Sequence, residues 1–366
     1  MVKPIPDGYH SLTPELIVAG AARAAAQERP AWLPCLVRES EAHAGSQRPN
    51  QRMTQARESP AMIRKLSIRL VTAAALASAA CSAPTSSAVL GPPDAGSDPP
   101  APADAVLLAQ RPYTELLPPG YTSAQNWPLV IVLAGYGDHG IDIANWMGLV
   151  DLAGAQGAVL VAPDGVANAL GYLAWSPGPR HSPHYDVEYL RAIIRDLEGR
   201  RSIDRKRVFV VGHSLGAHMA HRLACDAAAD VAAAFTVAGQ VVTNPLGCAP
   251  SEKVSVAQAH GTFDAVIGYN GDVQGAPPDP AVPSAHETMG VWARNNGCAG
   301  PSALTGRTLD LDKVVDGAET QVEAWSGCPD GIAVELWTMA RVGHIPNWTP
   351  AFAPAVWGFL SGHAKK

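Results

Sequence analysis

Short apolar runs alternate with longer amphipathic stretches from about residue 127 onward. The short runs are rich in β-branched residues, which is typical of strands buried on both faces. Strands are expected at 129–133, 158–162, 208–211, 235–238, 254–259 and 334–339. Apolar residues spaced three and four apart predict a helix over 185–199, and two more are expected near 284–296 and 350–361. This alternation predicts an α/β fold, a mostly parallel sheet with helices on both faces.

The region before residue 104 has a different character. Residues 62–81 start with a basic stretch and continue with an uncharged run of 11 residues that ends in small residues, the pattern of a signal peptide. The run is too short to span a bilayer, which takes about 20 residues; an Ala-rich core helix is the alternative. Because a signal peptide works near a chain's start, residues 1–61 are expected to be an upstream extension, with translation beginning at Met62.

Cys81 ends this predicted signal. The stretch 78–81 is similar to a lipoprotein cleavage site, where a lipid on the cysteine would anchor the protein to a membrane; ordinary cleavage around 77–79 is the alternative. Residues 82–103 are rich in Ser, Pro and Ala and predict a flexible linker. Residues 104–366 are expected to form one catalytic domain.

The composition of the chain limits the kinds of partner that it is expected to bind. The chain has 27 basic and 33 acidic residues, a net charge of −6, so no basic excess exists to bind nucleic acid. Hydrophobic residues make up 47% and charged residues 16%, which favours a globular core.

Six cysteines are present, of which Cys35 and Cys81 lie before the domain. The other four allow three pairings, and Cys225–Cys248 with Cys298–Cys328 is preferred because it closes short loops without crossing. Metal binding by these four is the weaker hypothesis, since no C-x-x-C spacing occurs. His181 and His184 could hold a metal, but a solvated loop is favoured, and no metal or other cofactor is expected.

The chemistry centres on Gly212-His213-Ser214-Leu215-Gly216, a G-x-S-x-G motif between a predicted strand and a predicted helix. In that setting the motif predicts a nucleophile elbow, a turn so sharp that it needs glycine on both sides of the serine. Ser214 is therefore the candidate nucleophile. A serine hydroxyl needs a base and an acid that orients the base, expected in the chain order Ser, Asp or Glu, His.

Asp264 is favoured as the acid because it lies on the loop after a strand, whereas Asp272 and Asp279 lie deeper in a Gly/Pro-rich loop. His344, just past the last strand, is the expected base. A structural or surface role is expected for His260 and His286, and His213, which flanks the nucleophile, is expected to pack or hydrogen-bond locally.

An acyl-transfer site also needs donors for the developing oxyanion. One is expected to be the backbone N–H of Leu215, directly after the nucleophile, and the other that of Tyr136 in the loop 134–138. Trp175 and Trp348, together with Tyr136, are expected near the mouth of the site, either binding substrate or packing in the core.

From about 127 to 348 the chain resembles the secreted polyhydroxybutyrate depolymerase and feruloyl esterase group of the α/β-hydrolases. The matching stretches are 133–137, 163–165, 186–190, 203–208, 212–216, 222–225, 260–264, 296–298 and 343–344. The resemblance implies an extracellular serine esterase with the triad Ser214, Asp264 and His344. The sequence departs from the group at Ala134, where a His is usual, at Gly268, where a Pro is common, and at Trp175-Ser176 in place of Trp-Asn.

Three functions remain open at this stage: an exported serine esterase, a peptidase on the same fold, and a non-catalytic binding protein. An intact triad favours the first two. The expected substrates are carboxylic esters of feruloyl, aryl or hydroxyalkanoate type. No surface-binding module is expected after the domain, so soluble esters are expected to be cut faster than crystalline polyhydroxybutyrate.

Overall fold

The computed structural model describes residues 104–177, 186–241, 247–271 and 283–366. The predictions for 1–61, 62–81 and 82–103 lie outside the described residues. So do those for Cys35, Cys81, His181, His184, Asp272 and Asp279.

One large sheet organises the described residues, with its strands in the order β1-β3-β2-β6-β7-β8-β11-β10-β9. The strands are β1 (Thr114–Leu116), β2 (Trp127–Leu133), β3 (Val159–Ala162), β6 (Ile203–His213), β7 (Ala233–Val237), β8 (Ser255–Gly261), β9 (Ser302–Leu309), β10 (Thr320–Trp325) and β11 (Val334–Met339). The six strands from β3 to β11 pair in parallel. The outer strands pair antiparallel. A small hairpin of β4 (Val166–Ala167) and β5 (Leu173–Ala174) stands apart from this sheet.

Helices cover both faces of the sheet, as the alternating pattern predicts. They are α1 (Asp104–Gln110), α2 (Gly140–Trp146), α3 (Leu149–Gln156), α4 (Asp186–Arg200), α5 (Leu215–Asp226), α6 (Ala285–Asn296) and α7 (Phe352–Ser361). Leu129 and Ile131 of β2 join a core with α4, α5 and α6. Val130 and Val132 join a second core with α2, α3 and α7. Successive strand residues point to opposite faces, so one apolar run supplies both cores.

The apolar pattern predicted the buried central strands of the sheet but not the outer strands β1, β9 and β10. Each predicted strand overlaps an observed one, with β11 at the predicted bounds, and the three predicted helices correspond to α4, α6 and α7. The edge strand β9 was not predicted because most of its residues are exposed and polar or small, which gives no apolar signal.

The four domain cysteines form the two preferred disulfides, Cys225–Cys248 and Cys298–Cys328. The first ties the last turn of α5 to the segment before β8. Within the described residues, no helix combines the length and the apolar character needed to cross a bilayer.

Candidate active site

Ser214 lies at the tight turn between β6, which ends at His213, and α5, which begins at Leu215. Its φ of 55° and ψ of −121° are a backbone conformation that costs a non-glycine residue energy. A Cβ on Gly212 would lie 2.2 Å from Gly216 O, and one on Gly216 would lie 2.2 Å from Leu133 O. Both flanking glycines are therefore required, as the motif predicts.

The three residues predicted as a triad lie together at the carboxyl edge of the sheet. His344 Nε2 is 2.9 Å from Ser214 Oγ, and His344 Nδ1 is 2.8 Å from Asp264 Oδ2. Asp264 follows β8 and His344 follows β11, its parallel neighbour, so the sheet brings the two loops together. Because a carboxylate only accepts, Nδ1 carries the ring proton and Nε2 is left to take the serine's proton.

Asp264 is held by more than the candidate base. Its Oδ1 accepts hydrogen bonds from the backbone N–H groups of Val266 at 2.9 Å and Ile267 at 2.8 Å. Its Oδ2 lies 3.2 Å from His260 Nε2. Burial raises the pKa of the Asp264 carboxyl, but the hydrogen bonds from His260 and His344 outweigh it and hold that pKa well below its ordinary value. The acid therefore stays ionised at neutral pH.

A structural or surface role is expected for His260, and in the structure this side chain contacts the candidate acid. His260 is fully buried, its Nδ1 lies 3.0 Å from Gln258 Nε2, and its Nε2 lies 2.9 Å from Ile267 O. Since Nε2 faces only acceptors, it carries the proton and can donate to both Ile267 O and Asp264 Oδ2. The sequence signal was the spacing of four between His260 and Asp264 across a strand end.

His213 is hydrogen-bonded to the backbone of the candidate base, His344. It is 4% exposed and donates from Nε2 to the backbone carbonyl of His344 at 3.1 Å. Its ring contacts the ring of Trp146 at a centroid distance of 4.9 Å. Burial lowers the pKa of His213 to about 3, so the ring is neutral. His213 thus packs locally, as expected.

The two expected oxyanion donors border the serine. Leu215 N–H is at the start of α5, and Gly135, next to Tyr136, is so close to the turn that a Cβ there would lie 3.3 Å from Ser214 Cβ. In the described part of the chain, neither Leu215 N–H nor Tyr136 N–H has a backbone or side-chain acceptor. Both donors are thus available to a substrate oxygen.

Trp175 and Trp348 do not line an open mouth. Trp175 is 3% exposed and donates from its indole N–H to Ala134 O at 3.1 Å. Trp348 is 6% exposed and stacks on Phe352, with Trp146 beside it. The structure favours the packing alternative for both, because apolar rings of this size fill gaps between the loops and the core.

No group of three or more His, Cys, Asp or Glu side chains in the described ranges is arranged to hold a metal ion.

A family described as having the alpha/beta hydrolase fold matches residues 175–268, which include Ser214 and Asp264. The sheet order and the turn at Ser214 agree with this match. The chain has the α/β-hydrolase fold.

Two curated relatives of this chain are fungal. Feruloyl esterase B of Piromyces equi is 29% identical over 198 residues, which cover 52% of this chain and 34% of that protein. Feruloyl esterase C of Emericella nidulans is 25% identical over 260 residues, 68% of this chain and 83% of that protein. Among solved structures, an acetyl xylan esterase from Aspergillus awamori superposes with a TM-score of 0.49 at 15% identity, covering 68% of this chain and 93% of that one.

Proposed function

We propose that this chain is a serine esterase that hydrolyses carboxylic esters through an acyl-enzyme on Ser214. One observation carries the proposal: the hydrogen-bonded line from Ser214 through His344 to Asp264, with 2.9 Å and 2.8 Å between the bonded atoms. A nucleophile, a base and an orienting acid in that order are the machinery of acyl transfer.

In this reaction His344 Nε2 takes the proton of Ser214 as Oγ attacks the ester carbonyl. The oxygen of the tetrahedral intermediate receives hydrogen bonds from the N–H groups of Tyr136 and Leu215. His344 then gives its proton to the departing alcohol, leaving an acyl-serine. Water, deprotonated by the same nitrogen, attacks the acyl-serine, and the acid is released as His344 Nε2 returns this proton to Ser214 Oγ. Asp264 stays ionised throughout and stabilises the imidazolium form of His344.

The relatives support an inference about the substrate class. Two proteins similar to this chain are named feruloyl esterases. We infer that the substrates are feruloyl-type, aryl or short hydroxyalkanoate esters. The chain spans about a third of the Piromyces protein, so the transfer concerns the hydrolase domain alone.

The proposal is tested by labelling with a fluorophosphonate and by turnover of 4-nitrophenyl acetate and methyl ferulate. We expect one label per chain, lost in Ser214→Ala. Ser214→Ala and His344→Ala should each lower kcat by about a thousandfold or more, because the triad acts as a unit. Asp264→Asn should lower it strongly because the amide no longer holds His344 in the productive tautomer.

Two outcomes would count against the esterase proposal. If the unmodified chain cleaves a peptide anilide faster than the matching ester, it is a peptidase. If it neither labels nor turns over any ester, it is a binding protein. Wild-type rates in Asp264→Asn would place the acid elsewhere, with Asp272 as the next candidate.

We propose further that the protein is exported, by the signal at 62–81, and anchored through a lipid on Cys81. Two disulfides support export, because such bonds persist in oxidising compartments. Expression from Met62 in a bacterial host should give envelope protein that takes up a palmitate analogue, and Cys81→Ala should abolish the uptake. Export without label would indicate free secretion.

A further inference from the structure

The loop that carries the proposed second oxyanion donor has little rigidity of its own. Tyr136 stands between Gly135 and Gly137, and Gly137 has a φ of +85°. Glycine backbones have many accessible conformations, so neither neighbour fixes the direction of the Tyr136 N–H. An oxyanion donor is effective only when it is held in place before the charge develops. Contacts from outside the loop must therefore hold the Tyr136 N–H in one direction.

The hairpin of β4 and β5 supplies contacts to this loop. Asn168 Nδ2 donates to Tyr136 Oη at 2.8 Å, and the Tyr136 ring stacks on the Tyr172 ring at a centroid distance of 5.6 Å. Gly137 N–H donates to Leu173 O at 2.7 Å. Just past the hairpin, Trp175 donates to Ala134 O at 3.1 Å. Three positions of the loop, 134, 136 and 137, are thus hydrogen-bonded to one short segment, residues 168–175.

Asn168 is the centre of this arrangement. Its Oδ1 accepts from the backbone N–H groups of Leu170 and Tyr172, both at 3.0 Å, which shapes the hairpin turn. Its own N–H donates to Tyr172 O at 2.9 Å. With Oδ1 and the backbone fixed in this way, Nδ2 has one direction available, and it faces the Tyr136 hydroxyl. Both ends of the Asn168 amide are therefore used.

We propose that Asn168, acting through the Tyr136 hydroxyl, is a positioning residue for the oxyanion hole. The inference rests on the proposed esterase function and deepens it, since it assigns to an exposed hairpin the placement of a transition-state donor. Asn168 touches no reacting atom. Its effect is to hold the Tyr136 backbone N–H in the direction that the tetrahedral oxygen requires.

The test compares Tyr136→Phe, Asn168→Ala and the double variant on 4-nitrophenyl acetate. Tyr136→Phe removes only the hydroxyl and keeps the ring stack. Each single variant should lower kcat by about tenfold, less than the 10²–10³ for a donor lost entirely, with KM within about twofold of wild type. The double variant should lose no more than Asn168→Ala, because both changes break one contact. Asn168→Asp should keep more kcat than Asn168→Ala, since its carboxylate can accept from the tyrosine hydroxyl.

An inhibitor that forms an oxyanion separates this role from a general loss of structure. An aryl trifluoromethyl ketone adds to a serine and generates an oxyanion at the place of the transition state, so its Ki should rise by the factor by which kcat falls. Tyr113→Phe is the matched control, because the hydroxyl of Tyr113 donates to Asp196 of α4, away from the triad loops. This control should keep wild-type kcat and Ki.

The outcomes are distinct. Wild-type kcat in Tyr136→Phe, multiplied losses in the double variant, or an unchanged Ki would overturn the positioning role while leaving the esterase proposal standing. A wild-type chain that turns over no ester and takes up no fluorophosphonate would overturn both. The expected pattern, with fluorophosphonate labelling retained in every variant, would support both.

Discussion

Three buried histidines make the stability of this fold sensitive to acid. His213, His218 and His221 are 4%, 6% and 1% exposed. Burial lowers their pKa values to about 3, 4 and 3, and neighbouring histidines lower each further. His221 shows why burial is tolerated: Trp292 donates to its Nδ1 at 3.0 Å, and its Nε2 faces Thr236 Oγ1 at 3.2 Å. These contacts suit a neutral ring.

The magnitude follows from proton linkage. In the unfolded chain each histidine has a pKa of about 6.5, so at pH 5 the unfolded state holds about one proton per ring that the folded state lacks. Because the folded pKa lies below the unfolded one, the contribution of each neutral ring to the free energy of unfolding is fully present above about pH 7. It is lost as the pH falls, since the unfolded state then binds the proton that the folded state does not. Between pH 7 and pH 5 each ring removes about 2 kcal/mol, and three remove about 6 kcal/mol. Native domains have about 5–15 kcal/mol in total.

Asp264 contributes in the same direction at lower pH. Its folded pKa is depressed, so its contribution is present above its unfolded value of about 3.9 and is lost as the pH falls further. Asp264 therefore contributes little to the loss between pH 7 and pH 5.

Urea unfolding followed by tryptophan fluorescence at pH 7, 6, 5.5 and 5 measures the effect. His221→Gln should reduce the fall in unfolding free energy by about one third, whatever it does to stability at pH 7. His286→Gln, on the surface with its side chain 53% exposed, should leave the fall unchanged. A free energy of unfolding at pH 5 within about 1 kcal/mol of that at pH 7 would refute the reasoning.

Three further predictions concern other parts of the molecule. Replacing Cys298 and Cys328 by Ala should lower the unfolding free energy by about 3 kcal/mol, measured in urea, because a loop with a sequence separation of 30 is released. His260→Leu should lower kcat on 4-nitrophenyl acetate at least tenfold, and His260→Gln less, since its amide can still donate to Asp264; equal rates in both would contradict a donor role. Soluble aryl esters should be hydrolysed faster than a crystalline polyhydroxybutyrate film, by product release, and film clearing at comparable rates would reverse that ranking.

The sequence predicted best where local chemistry leaves few choices. A serine between two glycines after a β-branched run has one structural solution, and the strand-end positions of Asp264 and His344 follow from a parallel sheet. The roles of Trp175 and Trp348 were not decided, because an aromatic ring can serve a site or a core equally well. The contact of Asn168 with Tyr136 could not be predicted from the sequence, because it joins residues 32 apart that lie in two separate turns.

The position of β11 has a consequence for biosynthesis. This strand is inserted between β8 and β10, and the loop after it carries His344, 130 residues beyond Ser214. Ribosomes deliver the segments in chain order, so the elbow and its acid emerge well before their base, while β8 still lacks its neighbour. Under the proposed mechanism, a nascent or unfolded chain is inert toward esters, and hydrolysis begins only once the last parallel strand has docked. For a hydrolase destined for another compartment, this order of assembly would protect the esters of the cell that makes it.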